Sequence, residues 1–140
     1  MSVLIQARNI ADETITADKI DWETVRVELF TGSSNGEITL SDEITNYDYL
    51  EIEYTYYGSG GGAKSVMKIT TDGNDFIMFA YSFENATRMN IMSKLYDISG
   101  KKLTPSVGME WYNVWGSSGV TAGQTTSKGY IKKVVGIKCS

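Results

Sequence analysis

The sequence predicts an all-β protein: an antiparallel β-sandwich, jelly-roll-like, of about eight strands, preceded by an extended N-terminal leader. Three observations carry that prediction. From Thr24 onward apolar and polar residues alternate, the period of a strand with one face covered and one wet. Clusters of Gly, Asn, Asp and Ser break the alternation at spacings typical of a sandwich. Nine Tyr and three Trp stand beside many Val, Ile and Thr, and 14 Gly against a single Pro favour strands joined by tight turns. A chain of 140 residues that is 41% hydrophobic suits one domain with a packed core.

The leader, residues 1–23, differs from the domain that follows, residues 24–140. Ile5, Ile10, Ile15, Ile20 and Val25 recur every five residues, a spacing that fits neither a helix nor a strand. One chain alone cannot bury so sparse a ridge, whereas several parallel copies wound together can. Ile10, Ile15 and Ile20 are therefore candidates for an oligomer interface, the plainer alternative being a flexible leader.

Within the domain, residues 24–30 place Val25, Val27 and Leu29 on one face and Arg26 and Glu28 on the other. The pair Asn35-Gly36 accepts the positive φ of a turn ahead of Ile38 and Leu40. Residues 48–57 form the cleanest strand, with Leu50, Ile52, Tyr54 and Tyr56 on one face and Tyr49, Glu51, Glu53, Thr55 and Tyr57 on the other. A glycine-rich loop follows, and residues 64–71 return as a strand. Residues 76–83 are apolar on both faces: Ile77, Phe79, Tyr81 and Phe83 on one, Phe76, Met78 and Ala80 on the other. Such a strand needs a second cover. A subunit interface through Phe76 and Met78 supplies one, and so does a loop of the same chain. Residues 88–98 make the next strand, residues 103–115 one broken near Pro105, and residues 130–138 the last, after a polar loop over 116–129.

Histidine is absent, which removes the usual general base, the Ser-His and Cys-His nucleophile pairs and the commonest metal ligand. The single cysteine, Cys139, excludes an intrachain disulfide and a cysteine-based metal site. No cofactor and no metal are expected. A net charge of −4 with scattered basic residues argues against nucleic acid as a partner. No run is long and apolar enough for membrane insertion, and residues 1–10 lack the charged start and apolar stretch of a secretion signal. An extracellular role then needs another exit route, such as release by lysis.

One catalytic option remains. Glu51 and Glu53 share a strand face with Cβ atoms roughly 6–7 Å apart, a spacing compatible with glycoside hydrolysis. A solvated outer face is the default for them. Asp72-Gly73-Asn74-Asp75 lacks the full calcium-loop pattern and reads as a polar turn. The aromatic residues are more suggestive, because flat rings cover the C–H faces of sugars while Asp, Asn and Ser bond the hydroxyls. The saccharide-binding candidates are Tyr112, Trp115, Tyr49 and Tyr57, with Asn74 and Asp75 as polar partners. Trp111 shares parity with Val107 and Met109 and is expected in the core.

The segment Ile15-Thr16-Ala17-Asp18-Lys19-Ile20-Asp21-Trp22 resembles the leader that joins a fibre shaft to a phage tail head. Leu29-Phe30-Thr31-Gly32, then Gly36-Glu37-Ile38-Thr39-Leu40-Ser41, then Asn46-Tyr47-Asp48-Tyr49-Leu50-Glu51-Ile52 resemble the opening strands of such heads. The closing Tyr130-Ile131-Lys132-Lys133-Val134-Val135-Gly136-Ile137-Lys138 resembles their last strand. The resemblance covers both ends and the first third of the chain. It implies the receptor-binding head of a tail fibre from a phage or prophage of Gram-positive bacteria, usually a homotrimer. Its implied partners are host cell-surface saccharides or teichoic acids and other tail or baseplate proteins. It also implies a place on the virion tail, synthesis in the host cytoplasm and release by lysis. A purely structural tail or baseplate protein is the alternative, and a glycan-degrading tail enzyme the third.

Overall fold

The computed structural model describes residues 24–59, 64–85, 88–112 and 121–139. The expected leader, with Ile10, Ile15 and Ile20, lies outside the described residues, as does Trp115. Among the described residues there are ten strands and one short 3₁₀ turn, Ile44–Asn46. The strands are β1 (Thr24–Ser34), β2 (Ile38–Thr39), β3 (Tyr49–Thr55), β4 (Lys64–Thr70), β5 (Asp75–Asn85), β6 (Arg88–Ser99), β7 (Lys102–Pro105), β8 (Gly108–Tyr112), β9 (Thr121–Thr125) and β10 (Tyr130–Cys139).

They form two antiparallel sheets, as expected for a β-sandwich. One has four strands in the order β1-β10-β3-β4. The other has six: β2-β7-β6-β8-β9 in a path, with β5 paired to β6. Long β6 is shared, with β5 along one edge and β7 and β8 following each other along the opposite edge. The expected break near Pro105 is the step from β7 to β8, where the register against β6 slips by one residue. Strand β9 falls inside the stretch read as a polar loop. Its Thr-Ala-Gly-Gln-Thr carries no apolar alternation, and it pairs only with β8 among the described strands.

The core lies between the sheets. Leu50 and Ile52 of β3 and Ile131 and Val134 of β10 come from one side, and Phe76, Met78, Met92, Tyr96 and Leu103 from the other. The rings of Phe76 and Tyr96 stack at 5.2 Å, nearly parallel. This corrects an expectation: Phe76 and Met78, expected at a subunit interface, are buried inside the subunit. Side chains on a strand alternate, so once Phe76 is stacked on Tyr96 every even-numbered residue of β5 from 76 to 82 turns inward.

Gly136 shows how closely the layers meet. A Cβ there would lie 2.6 Å from the Tyr47 ring, so only glycine lets β10 run beneath that tyrosine. Gly129, at φ +81, takes a left-handed conformation while Met92 and Met78 crowd it. Of the valines expected beside Leu29, Leu29 is buried but Val25 and Val27 are exposed, since a register shift against β10 falls between Glu28 and Phe30.

Candidate functional site

The outer face of the six-stranded sheet is the least ordinary surface of the protein. On β5 it presents Ile77, Phe79, Tyr81 and Phe83, three of them more than half exposed at 58%, 55% and 57% (Ile77, Phe79, Phe83). On β6 it presents Met89, Ile91 and Leu95. Val107, just ahead of β8, and Met109 and Trp111 within it continue the face. Cross-strand pairing arranges these side chains in rows: Ile77 with Leu95, Phe79 with Ser93 and Met109, Tyr81 with Ile91 and Trp111, Phe83 with Met89. Neighbours in a row stand about 5 Å apart, so the residues form one continuous apolar surface. Of the ten large apolar side chains exposed among the described residues, seven belong to this face. It carries Ser93 but no charged residue across those rows. A shallow depression of about 340 Å³ sits in it, lined by Phe79, Ala80, Tyr81, Phe83, Met89 and Ile91. Trp111, expected in the core, is instead half-buried on this outer face.

The inner face of the same sheet carries buried polar residues among its core side chains. Asn90, Lys94, Glu110, Ser82 and Thr125 are all buried. The Glu110 carboxylate accepts a hydrogen bond from the Tyr56 hydroxyl. Lys94 donates to the carbonyls of Gly129 (3.1 Å) and Asn35 (3.3 Å), and burial pulls its amine down to about 8. Both sides of β6 are mixed: Met89, Ile91 and Leu95 face out beside Ser93, and Asn90 and Lys94 face in beside Met92 and Tyr96. Sequence reasoning missed Lys94 and Glu110 because each lies in a stretch where alternation supports either face.

The outer face of the four-stranded sheet is charged and solvated. Arg26 reaches across β10 to Glu51 at 2.6 Å, Lys64 pairs with Glu53 at 3.3 Å, and Lys133 with Glu28 at 3.8 Å. Arg26, Glu51 and Glu53 help line a cleft of only about 70 Å³. The Arg26 hydrogen bond holds the Glu51 carboxyl below its ordinary range. A glycosidase acid needs a carboxyl raised toward neutrality, so Glu51 is displaced in the wrong direction for that role.

The saccharide-binding candidates do not converge. Tyr49 opens β3, with the Lys68 ammonium 4.3 Å from its ring centroid. Tyr57 lies beyond the other end of β3, more than roughly 20 Å away along the strand. It packs edge-on against Tyr56 and has Lys128 at 4.8 Å. Asn74 and Asp75 are exposed and lie at the Tyr49 end, where Thr71 N donates to the Asp48 carbonyl. Tyr112 closes β8, paired with Thr121, and its side chain lies outside the described residues. Tyr49, Asn74 and Asp75 thus share one end of the sandwich and Tyr57 does not.

A second concavity, about 300 Å³, lies where three connections meet and is lined by Lys94 together with Asn35, Gly36, Pro105, Ser106, Val107 and Thr126. Compared with known proteins, the chain matches no family model and no curated sequence.

Proposed function

We propose that the chain is the non-catalytic head of a phage tail fibre, working as a homotrimer that attaches to host cell-surface saccharides. The observation that carries this reading is the apolar face of the six-stranded sheet, uncharged across the rows from Ile77 to Phe83. Its seven exposed and three half-buried side chains leave on the order of 800 Å² of accessible surface, about what one partner contributes to a standard interface. The largest apolar patch on a typical monomer is nearer 300–600 Å². The occupant of the face is other copies of the same chain. A molecule of net charge −4 repels its copies over most of its surface, and the central rows of this face offer contact without opposing like charges. Three such faces turned toward a common axis close into one apolar core, leaving the charged face of each four-stranded sheet to water. The number three follows from the resemblance to tail-fibre heads, as do the virion location and the saccharide.

Light scattering on the purified chain tests the assembly, with a trimeric mass as the expected result. A folded monomer at micromolar concentration would sink the reading. Adsorption to host cells and binding to a glycan array test the attachment. A stable oligomer that binds neither favours the structural tail or baseplate role, and release of sugar from host walls favours the tail enzyme.

A further inference from the structure

The cavity beside Lys94 has features that neither the fold nor the oligomer face requires. Lys94 is 2% exposed. Its ammonium has three N–H donors and spends two, on the carbonyls of Asn35 and Gly129. It makes no ion pair among the described residues. Of the other buried ionisable groups of the inner face, Glu110 takes the Tyr56 hydroxyl, and Tyr96 presents its ring to the Lys94 ammonium at 5.9 Å. The neighbouring Glu37 is held outside by Lys102 at 3.4 Å and the Thr104 hydroxyl at 3.1 Å. A buried charge without a counter-ion is costly, and here it adjoins a space open to solvent.

That space is already formed. The side-chain amide of Asn35 donates to the Thr126 carbonyl at 3.0 Å, tying the β1–β2 turn to the β9–β10 turn. Gly129 N donates to the Tyr56 carbonyl at 2.9 Å, and Ser106 N to the Leu95 carbonyl at 2.8 Å. Thr126 is also on the wall, and its hydroxyl makes no hydrogen bond among the described residues. No carboxylate is among the lining residues. At about 300 Å³ the volume is at the small end of ligand sites.

We propose that this cavity is an oxyanion-binding site, in which the third N–H of Lys94 and the Thr126 hydroxyl receive a single carboxylate or phosphate group. An ammonium lowered to about 8 is still mostly protonated at neutral pH, so the charge is present when the anion arrives. The site meets the apolar face only at Val107, and Lys94 itself belongs to the inner side of the sheet. The anion has two possible sources, a free small ion or the acidic group of a saccharide, and the experiment separates them.

Protein labelled with ¹³C-lysine is titrated with pH by NMR in chloride, and again with inorganic phosphate, acetate, D-glucuronate or neutral glucose at matched ionic strength. Lys94 is recognised as the lysine that titrates far below the rest. The expected result is a saturable rise of its midpoint with phosphate, acetate and glucuronate, by about one pH unit, and none with glucose. Glucuronate binding more tightly than acetate assigns the site to an acidic sugar; equal binding assigns it to the free anion. Lys94→Met should weaken phosphate binding at least ~10-fold, with the amide spectrum reporting that the fold is kept. If that variant does not fold, the midpoint shift in the unmodified protein decides alone. A Lys94 midpoint indifferent to all three anions overturns the proposal.

Discussion

Lys94 makes stability depend on pH in a direction opposite to that of a salt-bridged lysine. Its amine titrates at about 8 in the fold and at 10.5 in the unfolded chain. Between those values the unfolded chain holds more protons, so stability rises with pH across that window. Below pH 8 the penalty is fully present, on the order of 3 kcal/mol for a displacement of this size. The buried tyrosines act against it. Burial raises Tyr47, Tyr54 and Tyr96, so their contribution is complete below pH 10 and is lost above it. Urea unfolding from pH 7 to 10 should therefore show stability climbing in the unmodified protein and flat in Lys94→Met. Parallel curves for the two would show that the amine is solvated. Tyr96 offers a simpler test. Its hydroxyl is buried and has no hydrogen-bond partner among the described residues. An unsatisfied buried hydroxyl costs about 1–3 kcal/mol, so Tyr96→Phe should leave stability unchanged or raise it by ~1 kcal/mol in thermal unfolding. A loss of 2 kcal/mol or more would mean that the hydroxyl has a partner after all.

Strand β5 shows both what alternation in a sequence reveals and where it stops. The existence of the strand and the turn before it are legible, because Thr71-Asp72-Gly73-Asn74 punctuates an apolar run, while its polar far end, out to Asn85, is not. Which face turns inward is not. Phe76, Met78 and Ala80 are no more apolar than Ile77, Phe79 and Tyr81, so a parity argument has nothing to weigh. The stacking of Phe76 on Tyr96 decides it, and that contact joins residues 20 positions apart. On β6 the pattern misleads, since the side carrying Asn90 and Lys94 is the buried one. By contrast β3, with Leu50, Ile52 and Tyr54 against Glu51 and Glu53, is oriented correctly from its residues alone. The saccharide candidates were chosen by residue type, and type does not say that Tyr49 and Tyr57 stand at opposite ends of the same strand. A prediction belongs to β5 itself. Among the described strands it pairs with β6 alone, so its other edge and its outer face are both open. Phe79→Asp places a charge in the centre of the apolar rows while leaving the inward residues untouched. It should weaken self-association ~30-fold or more, the effect of about 2 kcal/mol at a central contact, with thermal stability of the subunit changed by less than ~1 kcal/mol. An unaltered mass in light scattering would move the interface elsewhere.

At the scale of the whole molecule the two sheets divide the work by chemistry. The four-stranded sheet shows water a lattice of ion pairs, Arg26 with Glu51, Lys64 with Glu53 and Lys133 with Glu28. The six-stranded sheet shows an apolar face whose rows from Ile77 to Phe83 carry no charge, with Asp75 and Asp97 at one end. Association through the first would be weakened by salt, because screening at 0.15 M already acts beyond about 8 Å and exposed pairs are worth little. Association through the second would be strengthened. Salt screens the repulsion between subunits that each carry a charge of −4, and sulfate further favours burial of apolar surface. Sedimentation of the purified chain across a series of sodium sulfate concentrations should therefore show tighter assembly as salt rises, with a negative heat-capacity change on association. Dissociation of the oligomer by salt would instead assign the contact to the charged sheet, and the apolar face of β5, β6 and β8 would then need a different occupant.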